Sequence, residues 1–398
     1  MLNEKPKNWE LIRLNEALYY EQPTDYIVKN TNYDNSYSTP VLTAGKSFIL
    51  GYTNETSGIY INLPCIIFDD FTTESKYVDF PFKVKSSAMK ILSNNQYVDL
   101  KFLYYTMQTI ECIADTHKRF WISDYSNKPI YLPPLSEQRR IVQKIEELFA
   151  QVDKIEEEKQ GLLKLIDKAK EKVLDLAMKG KLVKQDPNDE PASVLLEKIF
   201  EEKKKLAKEG KIKLSKDELL APQISDDNDY YEKLPLNWCK TSLKNITQII
   251  AGQSPNGENL NKIGIEFHQG KLCFGEKYLT TSNVQTNNPT KLIDKNSIVI
   301  CVRAPVGDVN ITRNKICIGR GLAGISAYNH IDLDFLFYFL KSCKSYFELN
   351  GTGSTFKSIS SDCIKNLEIF LPPENEQKNI SKAINRLDEY LTTIKAEL

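Results

Sequence analysis

A heptad pattern of apolar residues between Ser136 and Lys179 restricts the possible folds more than any other feature of this chain. From Ile141, apolar residues recur at alternating steps of four and three, and only Lys159 interrupts the series. This spacing predicts one helix, roughly 65 Å long, with a partner helix along its apolar face. The residues predicted to face the partner are Ile141, Ile145, Leu148, Val152, Ile155, Leu162, Ile166 and Val173. No compact single domain needs such a helix, so a spacer between domains is predicted.

The same unit occurs again towards the C-terminus. The segment Leu371–Gln377 matches Leu132–Gln138, and a second apolar series follows it. The members of that series predicted to pack are Ile380, Ile384, Leu387, Leu391 and Ile394. Trp9 and Trp238 each end a Pro-x-Asn-Trp motif that opens one half of the chain. The chain therefore contains two copies of one unit, the second with a shorter helix.

Proline, serine, asparagine and glycine define the predicted ends of the helices. The paired prolines exclude helix before each start, and Ser136 and Asn375 are the predicted N-caps. Gly180 is the predicted end of the first helix. Gly210 is the predicted end of a short charged helix, Val194–Lys208.

The composition is that of an ordinary globular protein, with 41% hydrophobic and 27% charged residues among 398. No apolar segment approaches the length of a membrane span, and the N-terminus lacks a signal-peptide core. The eight cysteines form no CxxC pair and only three histidines are present, so we expect free thiols in a cytoplasmic protein, and no metal. The net charge of zero weakens the electrostatic case for nucleic acid but allows a local basic face.

Each half of the chain has a mixed pattern of short strands and helices, which predicts two α/β domains. The predicted strands are Pro40–Thr43, Ser47–Leu50, Cys65–Phe68, Leu272–Phe274 and Ser297–Cys301. The predicted helices outside the heptad segments are Leu100–Ile113 and Asp334–Phe347. With the long helices, the fold class is α+β.

Motifs for catalysis are weak. The chain has neither the Gly-rich cofactor loop and Asn/Asp-Pro-Pro-aromatic motif of a base methyltransferase nor a P-loop. Asp69 and Asp70, with Lys76, come nearest to a magnesium-dependent nuclease pattern. Their spacing is cramped, and a charged turn after a buried strand explains them better.

Loops that combine glycine with basic and hydroxyl residues favour DNA binding over catalysis. Glycine lets the backbone approach a phosphate, and Lys, Ser, Thr and Asn donate to phosphates and base edges. Arg303, Arg313 and Arg320 are candidates for guanine contacts, although any one loop is equally well explained as a solvated turn. The predicted DNA-binding residues are Thr43, Gly45, Lys46, Thr53, Asn54, His117, Lys118, Arg119, Lys271, Lys277, Ser282, Asn283, Arg303, Arg320, Thr352, Ser354 and Lys357.

Taken together, these motifs resemble the specificity subunits of type I restriction-modification systems, over nearly the whole chain. The resemblance rests on the repeated Leu-Pro-Pro-x-x-Glu-Gln helix start and on Pro-x-Asn-Trp at the opening of each half. Four segments of the first half look like one class of target recognition domain: Pro40–Lys46, Phe48–Thr53, Ile67–Thr73 and Lys85–Met89. The last of these adds Lys85 and Ser86 to the predicted DNA-binding residues.

The resemblance implies two α/β target recognition domains separated by long antiparallel coiled-coil-like helices, in an internal pseudo-two-fold repeat. Each domain would read one half of a bipartite sequence in double-stranded DNA, with the helices fixing the spacer. The implied domains are residues 1–135 (first recognition domain), 136–212 (central long helix and short return helix), 213–233 (linker), 234–373 (second recognition domain) and 374–398 (distal helix).

The resemblance also implies a non-catalytic subunit with several partners. Two methyltransferase subunits would dock on the helices, and restriction/translocase subunits would complete the nuclease. S-adenosylmethionine, ATP and Mg²⁺ would be cofactors of those partners, with no cofactor in this chain. Because the second helix is shorter than is usual in the family, we expect either a reduced contact with the distal methyltransferase or a truncated helix.

Two other functions stay open from the residues alone. A coiled-coil scaffold that binds protein partners fits both the neutral charge and the heptad pattern. A self-contained restriction or modification enzyme is less favoured, because it needs cofactor motifs that the chain lacks.

Overall fold

The computed structural model describes residues 6–45, 47–111, 119–212, 214, 235, 237–261, 263–353 and 357–398. The chain divides into two compact units, residues 1–158 and 159–398. The predicted linker 213–233 lies outside the described residues except for Leu214.

In its described residues the first unit combines nine strands with short helices and the start of a long helix. Its strands are β1 (Glu10–Arg13), β2 (Leu18–Glu21), β3 (Thr39–Leu42), β4 (Ile49–Thr53), β5 (Cys65–Asp69), β6 (Ser75–Val78), β7 (Lys83–Val84), β8 (Met89–Asn94) and β9 (Pro129–Leu132). Its helices are α1 (Leu14–Ala17), α2 (Leu100–Gln108), α3 (Phe120–Ser123) and α4 (Leu135–Met178), of which the second part belongs to the other unit.

The second unit holds eleven further strands in its described residues. They are β10 (Cys239–Ser242), β11 (Thr247–Ala251), β12 (Leu260–Asn261), β13 (Ile265–His268), β14 (Gln285–Thr286), β15 (Leu292–Ile293), β16 (Ile298–Cys301), β17 (Val309–Ile311), β18 (Ile316–Ile318), β19 (Leu322–Ala327) and β20 (Glu368–Leu371). Its helices are α5 (Ala192–Lys208), α6 (Leu243–Ile246), α7 (Leu333–Ser342), α8 (Lys344–Asn350), α9 (Ser361–Lys365) and α10 (Glu374–Glu397).

The predicted repeat is visible in the sheet topology. A four-stranded antiparallel sheet has the order β2-β8-β5-β6 in the first unit and β11-β19-β16-β17 in the second. A strand pair joins the two ends of each repeat before its long helix, β1 with β9 and β10 with β20. The units differ beside the main sheet, where the first has the sheet β4-β3-β7 and the second has β12-β14-β13-β18-β15.

The central strands β5 and β16 are apolar on both faces because both faces are covered. In β5, Ile66 and Phe68 pack with the cluster around α2 and α3, while Cys65 and Ile67 pack with the cluster around β3 and β7. Alternate residues of a strand point to opposite faces, so a continuous apolar run is what a strand between two cores requires. The residues of β16 divide between two clusters in the same alternating way.

The long helix and its predicted partner pack antiparallel in the second unit. Lys170 pairs with Asp388 at 2.8 Å, and Asp167 pairs with Lys395 at 3.2 Å, so α4 and α10 run in opposite directions. The buried residues along this contact are Ile166, Ile380 and Ile384, with Val173 and Leu391 half-buried. Leu162, Leu387 and Ile394 lie at its exposed margin.

The first part of α4 departs from the predicted interface. Ile141 packs against the core of its own recognition domain, and Ile145 lines a pocket with Trp9 of that domain. Leu148, Val152 and Ile155 are exposed. The prediction that one partner helix covers the whole seam is therefore wrong, because α10 has 24 residues against the 44 of α4.

The helix ends are partly as predicted. Both N-cap predictions are wrong: α4 already begins at Leu135, and the Asn375 amide donates to Asp189 instead of capping α10. The Pro134 carbonyl accepts the N–H groups of Glu137 and Gln138, which are the first bonds of α4, so Ser136 lies inside the helix and not at its cap position. Gly180 is confirmed as the end of α4, because its φ of +65° is the left-handed conformation that glycine adopts without strain.

Among the other predicted elements, only Leu272–Phe274 has a different type of secondary structure from the strand that was predicted. Residues Lys271–Cys273 form a 3-10 turn, and the Leu272 side chain is 99% exposed. The seven described cysteines are free, as predicted, and Cys112 lies outside the described residues. Within the described part of the chain, none of the helices has the length and apolar character needed to cross a membrane.

Candidate nucleic-acid interface

The Glu-Gln pair at the start of α4 fastens the first recognition domain to that helix. The Trp9 indole N–H donates to the Glu137 carboxylate at 3.2 Å. The Gln138 side chain accepts from the backbone N–H of Asp99 at 2.8 Å and donates to the Pro133 carbonyl at 2.8 Å. Asp99 is the N-cap of α2, so one glutamine links the starts of two helices.

The same connections recur in the second unit. The Trp238 indole N–H donates to Glu376 at 2.8 Å, and burial raises the pKa of that carboxyl above its ordinary value. Gln377 accepts from the N–H of Asp332, the N-cap of α7, at 2.9 Å and donates to Pro372 at 3.0 Å. The repeated sequence motif thus has a structural role: it fixes each recognition domain on its own helix.

Three chain segments meet at one end of the main sheet in the first unit. The Asp70 N–H donates to the Ala88 carbonyl at 2.9 Å, and the Asp70 carbonyl accepts from the Phe120 N–H at 2.9 Å. Phe71, Ser87 and Arg119, each next to one of these residues, are exposed at this end. We call these three residues the first edge.

The second unit has the equivalent bonds at the equivalent place. The Val302 N–H donates to the Gly321 carbonyl at 2.9 Å, and the Val302 carbonyl accepts from the Ile359 N–H at 3.0 Å. The neighbouring residues are Arg303, Arg320 and Ser358, which we call the second edge. The two edges share a backbone frame and differ in their side chains.

The acidic pair near the first edge is part of this frame. The buried Asp70 carboxylate pairs with Lys90 at 2.9 Å and accepts from the Trp121 N–H at 2.8 Å. Asp69 accepts from the backbone N–H groups of the two residues after Asp70, closing a turn. These contacts explain both carboxylates as structural, in agreement with the charged turn predicted after a buried strand.

Several predicted DNA-binding residues of the first unit lie at or beside the first edge. Lys85 and Ser86 share a loop with Ser87, and Arg119 is itself part of the edge. The hairpin loop that contains Thr43 and Gly45 is adjacent, because the Lys85 N–H donates to the last residue of β3 at 3.1 Å.

Other predictions for the first unit are not supported or lie elsewhere. Thr53 is only 2% exposed, so its side chain cannot reach DNA, and this prediction is wrong. Asn54 is exposed, but it follows the C-terminal end of β4, whereas the hairpin loop precedes the N-terminal end of that strand. Lys46, His117 and Lys118 lie outside the described residues.

In the second unit the structure separates free cations from paired ones. Lys271 pairs with Asp308 at 2.6 Å, and this hydrogen bond raises the pKa of the lysine. Lys277 pairs with Asp334 at 2.8 Å and donates to Asn385 of α10 at 3.1 Å. Both lysines are already paired with carboxylates, so they are weaker candidates for DNA contact than the edge arginines.

The remaining predictions for the second unit have mixed outcomes. Ser282 is buried, with its hydroxyl donating to a backbone carbonyl at 2.8 Å, so its predicted DNA contact is wrong. Asn283 is exposed. Thr352 and Lys357 are exposed beside the second edge, although the Lys357 ammonium donates to a backbone carbonyl at 2.9 Å. Ser354 lies outside the described residues.

Sequence reasoning missed Phe71 and Ser87 at the first edge and the role of the Glu-Gln pairs. Ser87 lies in a motif that was noticed, but nothing in the sequence shows which of its serines is exposed. Aligning the two repeats on Asp70 and Val302 would have identified both edge positions.

The comparisons with known proteins agree with this architecture. The family described as type I restriction modification DNA specificity domain matches residues 6–165 and again residues 235–398. The specificity subunit of the type I restriction enzyme EcoR124I/EcoR124II from Escherichia coli is 31% identical over 97% of this chain and 88% of its own length. A putative type I restriction enzyme MjaX specificity subunit from Methanocaldococcus jannaschii is 42% identical, over 40% of this chain and 38% of that protein.

Solved structures support the fold independently. The HsdS subunit from Thermoanaerobacter tengcongensis matches with a TM-score of 0.60 and 21% identity, over all of this chain and 94% of that one. The repeated fold and the two family matches define a protein with two DNA-recognition repeats. The chain belongs to the DNA specificity subunits of type I restriction-modification systems, which confirms the predicted family, fold class and function.

Proposed function

We propose that each recognition domain of this specificity subunit reads one half of a bipartite DNA sequence through its edge, and that α4 and α10 set the spacer. The observation that carries this proposal is the pair of edges, which share a backbone frame but present different side chains. A repeat with unlike contact surfaces fits a target with two unlike halves better than one symmetric partner.

The chemistry of the whole complex is proposed to lie in partner subunits. This chain would contribute no catalytic group, because Asp69 and Asp70, the pair nearest to a nuclease pattern, are engaged in structural contacts. Two methyltransferase subunits and the restriction/translocase subunits would bring S-adenosylmethionine, ATP and Mg²⁺. The cytoplasmic location stays a prediction.

An exposed apolar stripe on α4 supports methyltransferase docking on the helical region. It consists of Leu148, Phe149, Val152 and Ile155, whose side chains are 49–64% exposed. A stripe of this kind marks an interaction surface when it is contiguous. The stripe continues the heptad seam, so we propose that helices of the methyltransferase pack there.

Changing Val152 and Ile155 together to Glu is expected to weaken binding of the methyltransferase subunit at least 10-fold, because two charges would be buried at the interface. Thermal stability of the isolated chain should change little, since both side chains are exposed. Titration of labelled chain with methyltransferase measures the affinity. Ala150→Glu, about 180° around the helix from this stripe, is the matched control and should bind normally. Equal losses in both variants would contradict the docking site.

Selection from random duplex DNA, using this chain with its methyltransferase partner at moderate salt, tests the proposed function. A bipartite consensus with a fixed gap is the expected result. Binding without any consensus, which only weakens as salt rises, would indicate non-specific contact and favour the protein scaffold. Methylation or cleavage by the chain alone would instead favour a self-contained enzyme.

A further inference from the structure

The backbone at Arg320 is held in one position by a tight Gly-Arg-Gly turn between β18 and β19. The Leu322 N–H closes the turn on the Gly319 carbonyl at 2.9 Å. A Cβ at Gly321 would lie 2.3 Å from the carbonyl oxygen of Gln269, so the segments approach more closely than any other residue type allows. The arginine side chain between these glycines is exposed.

Arg303 is held beside this turn by the frame of the second edge. It forms a β-bridge with Ser358, and the next residue, Ala304, donates its N–H to the Lys357 carbonyl at 3.0 Å. Val302, the residue before Arg303, donates its N–H to the carbonyl of Gly321, the residue after Arg320. Two exposed arginines therefore project from adjacent, fixed backbone segments.

Charge distribution leaves these arginines available for a ligand. Of the lysines predicted to bind DNA in this unit, Lys271 and Lys277 are neutralised by carboxylates, and the Lys357 ammonium donates to the Glu348 carbonyl. Arg313 stacks on the Tyr278 ring, with its guanidinium carbon 4.0 Å from the ring centroid. Within the described residues, neither arginine of the second edge has a carboxylate within ion-pair distance.

Comparison of the two edges favours contact with bases over contact with phosphates. Phosphate contacts carry no sequence information, so they need not differ between two repeats that read different half-sites. Base contacts must differ. Phe71 and Ser87 occupy the positions in the first unit that Arg303 and Arg320 occupy in the second, and the backbone frame around them is the same.

We infer that Arg303 and Arg320 are specificity-determining residues and that each binds a guanine in the major groove, so that the half-site of the second recognition domain contains two G·C pairs. The guanidinium fork matches the O6 and N7 acceptors of guanine, which no other base presents together. The first edge has no equivalent pair of arginines and reads its half-site by other contacts. The inference rests on the proposed function, because it assigns chemistry to one of the two proposed half-sites.

The test compares DNA selection by the full chain and its methyltransferase partner before and after Arg303→Ala and Arg320→Ala. Each variant is expected to lose preference for guanine at one position, both positions lying in the same half-site. Affinity for the wild-type consensus should fall by about 5- to 150-fold. Arg303→Lys and Arg320→Lys should restore only part of the preference, since a lysine ammonium can reach O6 and N7 but lacks the planar, pre-organised fork of the guanidinium.

A chemically altered base provides a test that does not depend on folding of the variants. Replacing the assigned guanine with 7-deazaguanine removes the N7 acceptor and should weaken wild-type binding. It should have little further effect on the matching arginine-to-alanine variant, because the two changes remove the same contact. Lys295→Ala, an exposed cation before the opposite end of β16 from Arg303, is the control and should keep the wild-type consensus.

Two results would overturn the inference while leaving the proposed function intact. One is a bipartite consensus for which the variants weaken binding to all sequences alike. The slope of log affinity against log salt concentration would then fall by about 1 in each variant, as it does when a phosphate contact is lost. The other is a consensus that neither variant alters. A wild-type complex that selects no consensus would instead overturn the proposed function, and the inference with it.

Discussion

Replacing Asp70 with Ala is expected to destabilise the first recognition domain by about 3–5 kcal/mol, because it leaves the Lys90 ammonium buried without a counter-charge. Both side chains of this pair are essentially inaccessible to solvent, and their atoms lie 2.9 Å apart. The same substitution leaves the Trp121 N–H without its acceptor. Thermal unfolding followed by hydrogen exchange measures the loss, which should be concentrated in residues 6–111 and 119–134.

A double variant separates loss of the charge pair from loss of packing. Changing Asp70 to Leu together with Lys90 to Met removes both charges and fills similar space, so it should recover the part of the stability lost to the unpaired charge, although the Trp121 N–H still lacks its acceptor. Asp69→Ala is the matched single control and should cost about 1 kcal/mol, since it removes only a turn. An Asp70→Ala protein with wild-type stability would contradict the structural role and reopen the question of a metal site there.

Replacing Gln377 with Ala is expected to cost about 2–4 kcal/mol, confined to the second unit. The substitution leaves the buried N–H of Asp332 and the carbonyl of Pro372 without partners, and each such group costs about 1–3 kcal/mol. It also leaves a cavity where a fully buried side chain lies. Hydrogen exchange of α7 and the start of α10 measures the effect.

The repeat supplies the control for this prediction. Gln138 makes the equivalent bonds at 2.8 Å each, so Gln138→Ala should cost a similar amount in the first unit and leave α7 protected. A Gln377→Glu variant keeps the acceptor but brings a buried charge, so it should be destabilised even though it retains the size of the side chain. Equal destabilisation of both units by either alanine variant would contradict the proposed local role of each glutamine.

Local patterns in the sequence were sufficient to predict the elements whose formation depends mainly on residues close together in the chain. The heptad steps from Ile141 predicted a long helix, because the period of a helix is visible in any apolar series along it. The flanking prolines and glycine placed it between Ser136 and Lys179, within one residue of α4 at each end. Gly180 was predicted as its end since only a residue tolerant of positive φ suits that place. The strand that begins at Cys65 was predicted from its own short run of apolar residues.

Predictions failed where a contact between distant residues decided the outcome. Thr53 and Ser282 have the chemistry of DNA-binding residues, but neighbouring segments bury them. The sequence around Lys271 predicts a solvated lysine, but the fold places beside it Asp308, a residue 37 positions later in the chain. The caps at Ser136 and Asn375 failed because the helices begin at Leu135 and Glu374, directly after a proline, so both predicted cap residues lie inside the first turn.

The sequence by itself determined the family, the duplication and the long helix, because these depend on motifs and periods that are local or simply repeated. Only the tertiary structure decided which cations are free, since pairing depends on which carboxylates the fold brings within about 4 Å. The two edges likewise exist only in the folded chain, because Arg303, Arg320 and Ser358 become neighbours through backbone bonds between separate segments. Specificity in this protein therefore depends on placements that no short stretch of its sequence contains.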